Sequence, residues 1–290
     1  MLAAGIEVAA AVTNRDRAAG RGMELVASPV KRRAEEAGLE VLQPRSARDA
    51  GLMAALERIA PDVAVVVAYG QILPSPLLSI PRLGFVNLHF SLLPEYRGAA
   101  PVQQALIDGR SETGVSVIVL TGGMDEGPVL AAKRERIHPS DTAGTLGERL
   151  AIGGADLLVA SLLAYASGSL EPVEQDHARA TYAPKLTPER ARISWKEPRS
   201  RIRNLVRATN PTPGAWTTLR GQRMKIHEVE CAGQEAPALR PGELAYAGGL
   251  YAGAGDGARV VCSAQMAGKR PLSGPELARG LQPAPGEGFD

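Results

Sequence analysis

Aromatic residues are scarce. Three Phe, two Trp and six Tyr make up 4% of 290 residues, and that scarcity beside so many alanines says little about function. Cysteine is scarcer. Cys231 and Cys262 lie far apart with no CxxC spacing, so neither is expected to be catalytic or metal-bound. A reducing, cytoplasmic setting is expected, with both thiols acting as small buried apolar groups. No His/Cys/Asp/Glu cluster has metal-ligand spacing, so no metal is expected. Charge of one sign is also missing overall: the formal net charge is +2, which excludes a global basic field. No apolar run reaches the length of a membrane span, and Met1 to Ala4 lack a basic stretch followed by a long apolar core. Neither a membrane nor a signal peptide is therefore expected.

Alternating strand and helix patterns fill the first two-thirds. Ile6 to Val12 and Asp62 to Ala68 read as strands. Ser46 is placed to cap a helix running to Ile59, with Leu52, Met53, Leu56 and Ile59 on one face. Phe85 to Leu88 and Val115 to Leu120 read as buried strands, and Val129 to Arg136 as a less buried one. Pro101 suits the first position of a helix through Ile107, and Thr142 suits the cap of a helix to Leu163. Such alternation predicts an α/β domain, Rossmann-like, with a parallel sheet covered on both faces. Around Gly168 to Pro188 the pattern breaks into a Pro-rich linker. Beyond it come a basic helix, Ser200 to Ala208, and short strands at Ala215–Leu219, Met224–Val229 and Ala258–Cys262, which suggest a small β-barrel. The expected division is 1–170, a linker over 171–187, and 188–290, with a loose Pro/Gly-rich tail after Gly280.

The chemistry concentrates in two segments. In Gly84-Phe85-Val86-Asn87-Leu88-His89, alternation puts Asn87 and His89 on one face at the carboxyl end of a strand, where open α/β sheets bind ligands. The Val115 strand ends at Thr121-Gly122-Gly123-Met124-Asp125-Glu126-Gly127-Pro128. If the two strands are parallel neighbours, Asp125 reaches the same edge. An amide, an imidazole and a carboxylate then offer an oxyanion donor, a proton carrier and an orienting acid.

Several motifs in order carry a resemblance: Asn87-Leu88-His89-Phe90-Ser91-Leu92-Leu93-Pro94, Arg97-Gly98-Ala99-Ala100-Pro101, Glu112-Thr113-Gly114-Val115 and Met124-Asp125-Glu126-Gly127-Pro128. Tyr182-Ala183-Pro184-Lys185-Leu186, Ala191-Arg192-Ile193-Ser194-Trp195 and Arg207-Ala208-Thr209-Asn210-Pro211 follow. Together they resemble the folate-dependent formyltransferases, and among them the branch that acts on methionyl initiator tRNA. The resemblance implies formyl transfer from 10-formyltetrahydrofolate, a co-substrate and not a tightly bound cofactor, by a cytoplasmic monomer. It implies Asn87, His89 and Asp125 as catalytic residues and Ser91, Leu92, Leu93 and Pro94 as the tetrahydrofolate-contacting turn. Tyr69 to Leu73 is a further candidate for the pterin pocket. It also implies that the C-terminal barrel is OB-like and binds tRNA.

Charge is uneven along the chain. Twelve basic residues stand against two acidic ones, Glu189 and Glu197, between Arg179 and Lys225. A phosphate-contacting surface suits that excess. Lys185, Arg192 and Arg207 lie within it as candidate tRNA contacts, and the resemblance adds Arg17 and Arg21 on the early loop. The resemblance further implies a strand and helix ahead of the Ile6 strand, roughly 20–25 residues by the usual length of a crossover unit. Their lack here would leave an open groove in the core. Two other readings fit the residues: a formyltransferase for a small amine, such as a purine precursor or an amino sugar, and an RNA-binding relative without catalysis.

Overall fold

Proline and capping side chains mark where the helices begin. The computed structural model describes residues 1–19, 24–231 and 236–290. Strand β1 (Ala10–Val12) is followed by a hairpin of β2 (Arg17–Ala19) and β3 (Glu24–Val26). Helix α1 (Pro29–Glu36) is capped by the Ser28 hydroxyl, which accepts the Lys31 N–H, with Pro29 in the first turn where no donor is needed. After β4 (Glu40–Leu42) comes α2 (Ala50–Ile59). Its cap is Asp49, which accepts the Gly51 N–H, and not Ser46 as expected; the Ser46 hydroxyl accepts the Arg48 N–H in the preceding turn. Then follow β5 (Ala64–Val66), the short α3 (Ser75–Leu78), β6 (Phe85–His89), α4 (Pro101–Ile107), β7 (Glu112–Val119), β8 (Val129–Arg136) and α5 (Ala143–Ala166). The basic helix is α6 (Arg199–Thr209). Strands β9 (Ala215–Leu219), β10 (Gln222–Cys231), β11 (Leu244–Tyr246), β12 (Leu250–Ala254), β13 (Gly257–Met266) and β14 (Leu272–Ser273) precede α7 (Gly274–Leu281).

The chain divides into two compact units. One comprises Met1–Arg97, Gly114–Lys133 and Ala151–Thr181; the other comprises Gly98–Thr113, Arg134–Leu150 and Tyr182–Asp290.

The first unit has the expected α/β character. β1 pairs with β4 in parallel and β5 with β6 in parallel. β7 departs from expectation: it runs antiparallel to β6, with His89 opposite Ser116 and Val86 opposite Val119. The sheet order is β5-β6-β7-β8, and β1-β4 forms a separate sheet. A groove of about 560 Å³, lined by Val8, Ala10 and Val12 on one side and Val63, Val65 and Val67 on the other, lies where the two sheets part. All three residues of β1 and of β5 are half-exposed; among the described residues β1 pairs only with β4 and β5 only with β6.

Helix α5 corrects one sequence expectation. By length and composition it is apolar enough to cross a membrane, with hydropathy 1.4 over its best window. It packs instead on a sheet. Leu146, Leu150, Leu158 and Leu162 are buried, and a Cβ added at Gly154 would lie 2.9 Å from Leu88 Cδ2. Glycine there lets the helix approach β6 closely.

The second unit is built on an antiparallel sheet in the order β11-β12-β13-β10-β9, with β14 on β13. Its core holds Trp195, Ile202, Val206, Met224, Ile226, Leu250 and Val261. The tail was expected to be loose; it is pinned between the two edge strands. Leu244 N–H donates to Glu287 O at 2.8 Å and Phe289 N–H to Gly242 O at 2.8 Å on the β11 side, while Asp290 N–H donates to Thr218 O at 3.0 Å on the β9 side. The Phe289 ring is buried and stacks on Trp195 at 5.0 Å. Gly242 sits at φ +84, and a Cβ there would meet Phe289 O at 2.7 Å, so no other residue fits this closure. The cysteines also differ from expectation. Cys231 is exposed, with its sulfur 3.0 Å from Arg259 Nη1. Cys262 is half-buried, and burial, then Glu230 and Glu228, push its thiol up to about 11.

Candidate active site

Strand β6 places Asn87 and His89 on one face, because side chains alternate along an extended backbone. Val86 and Leu88, on the other face, are buried, and Gly154 of α5 closes on Leu88. Asn87 is half-exposed and His89 is buried. The His89 ring is oriented by a backbone carbonyl: Nε2 lies 2.9 Å from Tyr96 O. A carbonyl can only accept, so Nε2 carries the proton and donates it. The other nitrogen, Nδ1, lies 3.7 Å from Asp125 Oδ2.

Asp125 arrives by a different route from the one expected. With β6 and β7 antiparallel, the end of β7 lies beside the start of β6, away from His89. The loop after β7 doubles back to bring the carboxylate to the ring. It turns through Asp125 itself, whose backbone is in the left-handed region at φ +50, a conformation that Asp tolerates better than most residues. Gly127 supplies the close approach: a Cβ there would lie 1.9 Å from Val119 O. Gln175, in the segment read as a linker, donates from Nε2 to Asp125 O at 2.8 Å and to Gly127 O at 2.7 Å. That segment is not a free tether. Val129 and Val173 form an antiparallel bridge, and Thr181 accepts from the Tyr96 and Arg97 N–H groups through its hydroxyl and its carbonyl, both at 2.8 Å.

The turn from Ser91 to Pro94 leaves the same end of β6. Ser91 is fully buried, and its hydroxyl donates to Glu95 O at 2.6 Å. That bond shapes the turn. Leu92, Leu93 and Pro94 are half-exposed. Ser116 of β7 fixes the turn from beneath, donating to Ser91 O at 2.8 Å and accepting from Leu93 N–H at 3.1 Å. Tyr69 and Leu73 line the groove beside β5. The Tyr69 hydroxyl is buried without a hydrogen-bond partner among the described residues, and burial pushes its phenol up. Among the described residues, no group of three or more His, Cys, Asp or Glu is placed to hold a metal.

The basic candidates separate into different environments. Arg17 is exposed on the β2–β3 hairpin, and Arg21 lies outside the described residues. Lys185 and Arg192 are exposed. Arg192 lies 5.5 Å and Arg223 4.1 Å from the ring centroid of Trp216, a half-buried aromatic. Arg207 differs: its Nε donates to Asp141 O at 2.6 Å and its Nη2 to His138 O at 2.9 Å. It clamps the turn before α5. Asp141 beside it is buried, which alone would raise its carboxyl, but the bidentate Arg149 and the His138 N–H hold it below the usual aspartate range.

An amide and an imidazole at the end of β6, met by a carboxylate from the loop after β7, form the candidate active site of an α/β enzyme. Residues 3–162 match the formyl transferase family, and residues 185–282 match the formyl transferase C-terminal domain. The chain belongs to the formyl transferase family. It is 47% identical over 282 residues, 97% of this chain and 91% of the relative, to a methionyl-tRNA formyltransferase of Streptomyces griseus. Two solved structures share its fold. A sugar 3N-formyl transferase, WlaRD, in the presence of dTDP and 5-N-formyl-THF has a TM-score of 0.65 at 17% identity, covering 90% of this chain and 88% of that one. Methionyl-tRNA formyltransferase from Clostridium thermocellum has a TM-score of 0.57 at 18% identity, covering 71% and 88%.

Proposed function

We propose that this chain transfers the formyl group of 10-formyltetrahydrofolate to the amino group of methionyl initiator tRNA. The observation that carries the reading is the 47% identity along nearly the whole chain to a methionyl-tRNA formyltransferase. In the reaction, the neutral amine attacks the formyl carbon, and the carbonyl oxygen takes up the negative charge. The Asn87 amide donates to that oxygen; one such donor contributes ~3 kcal/mol in comparable sites. Nε2 of His89 is committed to Tyr96 O, so Nδ1 is the nitrogen that works, facing Asp125. The amine gives up one proton to this His89–Asp125 pair. The carbonyl then re-forms as the carbon–nitrogen bond to folate breaks, and the leaving folate nitrogen takes that proton back from the pair. No covalent enzyme intermediate is required.

Leu92, Leu93 and Pro94 line the folate. Exposed Lys185, Arg192 and Arg17, with Arg21, meet tRNA phosphates, and the region from 188 onward serves as the tRNA-binding domain. The enzyme acts as a monomer in the cytoplasm, where initiator tRNA is charged. The test is formyl transfer to charged initiator tRNA with and without 10-formyltetrahydrofolate; no folate-dependent product would sink the proposal. The likeness to a sugar 3N-formyl transferase favours one rival, a small amine acceptor. Added initiator tRNA inhibits formylation of a small amine only if tRNA is the real substrate. Replacing Asn87 or His89 by alanine separates both from a purely RNA-binding role, which would survive either change.

A further inference from the structure

We infer that Gln175 is a positioning residue for this formyl transfer: it ties the loop carrying Asp125 to the backbone that orients His89. The inference rests on the proposed roles of His89 and Asp125. Gln175 lies between residues 3–162 and 185–282, outside both regions matched to the family.

The Gln175 side chain is buried, and its hydrogen-bonding capacity is filled. Nε2 donates to Asp125 O at 2.8 Å and Gly127 O at 2.7 Å. Oε1 accepts from Arg97 Nε at 3.2 Å and Nη2 at 2.8 Å. A guanidinium only donates and a carbonyl only accepts, so the amide can sit one way round. Arg97 is 3% exposed, and its Nη2 also donates to His177 Nδ1 at 3.0 Å. Arg97 directly follows Tyr96, whose carbonyl holds the His89 ring at 2.9 Å.

A short path therefore runs from His89 through Tyr96, Arg97 and Gln175 to Asp125. It fixes the 3.7 Å separation of Nδ1 from the carboxylate. Few side chains fit. Glutamate accepts from Arg97 but has no hydrogens for two carbonyls. Lysine and arginine donate but repel Arg97. Asparagine is one methylene short. Misplacing a catalytic group by about 1 Å costs on the order of 100-fold in rate, so a loosened loop has a measurable effect.

Gln175→Glu separates positioning from scaffolding, because it keeps the Arg97 contact as an ion pair and turns the two loop contacts repulsive. The expected result is a folded protein with a lowered melting temperature, kcat lowered about 10- to 100-fold, KM for both substrates within about threefold and a changed pH–rate profile. The His89 ring signals in NMR move from their wild-type positions. Gln175→Met adds no charge but removes the acceptor for Arg97 along with both donors; it lowers kcat in the same way, with a larger fall in melting temperature. A folded variant with wild-type kcat and pH profile, or with unmoved His89 signals, overturns the inference. Failure of both variants to fold makes Gln175 a strut and overturns it too. An inactive parent chain defeats the proposed function instead; the NMR comparison still decides Gln175.

Discussion

His89 and Asp125 meet across 3.7 Å, with the opposite edge of the imidazole bonded to Tyr96 O at 2.9 Å. The Tyr96 carbonyl holds one edge of the ring and the Asp125 carboxylate faces the other. Asp125→Asn should therefore leave the His89 ring in place while lowering kcat. Asn87→Ala should lower kcat by about 10²–10³-fold with folate affinity nearly unchanged. Single-turnover kinetics with folate binding measured separately check both. A loss confined to KM would contradict these roles.

Gly114 of β7 lies under Leu92, in the turn proposed to contact tetrahydrofolate. An added Cβ would sit 2.5 Å from Leu92 Cδ2 and 2.2 Å from Lys133 O. Gly114→Ala must shift the turn or part β7 from β8, at a cost of about 1–3 kcal/mol. Weaker tetrahydrofolate binding by titration calorimetry, with a lower melting temperature, is expected.

The tail closure has an acid signature. Arg220, then the Ala284 N–H, hold the Glu287 carboxyl at about 2, below its ordinary 4.5. A depressed carboxylate contributes stability above its unfolded pKa and loses it as pH falls toward its folded value. Wild-type stability should exceed that of Glu287→Gln at pH 6 and converge with it between about pH 4.5 and 2, followed by urea unfolding across pH. Phe289→Ala should cost about 3–5 kcal/mol at all pH values.

The arginines should divide by role. Arg192→Ala and Arg223→Ala should weaken tRNA binding at low salt, each reducing the slope of log affinity against log salt by about 1. Arg207→Ala should lower the melting temperature and change that slope little, because two of its donors hold the turn before α5 through Asp141 O and His138 O. Filter binding across a salt series distinguishes them.

Local signals are legible where one residue or one short pattern decides the structure. Pro101 opens α4, which ends at Ile107, and β8 and β9 run from Val129 to Arg136 and from Ala215 to Leu219 as patterned. Helix α5 begins beside Thr142, whose hydroxyl accepts the Thr145 N–H at 3.2 Å. Signals failed where partners decide. β1 covers Ala10–Val12 rather than Ile6 to Val12, because the pairing with β4 spans only Glu40–Leu42. Strands β11 and β12 are too short to carry a readable alternation, and the tail after Gly280 reads as loose because its order comes from two distant strands.

The sequence by itself determined the family, the alternation of elements, and Asn87 and His89 on one face of one strand, since these follow from local periodicity and residue order. Only the tertiary structure decided that β7 runs against β6, that Asp125 returns to His89 on a reversing loop, that Gln175 and Tyr96 hold that pair, and that Arg207 is a clamp. Strand direction, loop return and hydrogen-bond partnership belong to residues far apart in the chain, and no local pattern records which distant group satisfies a given donor.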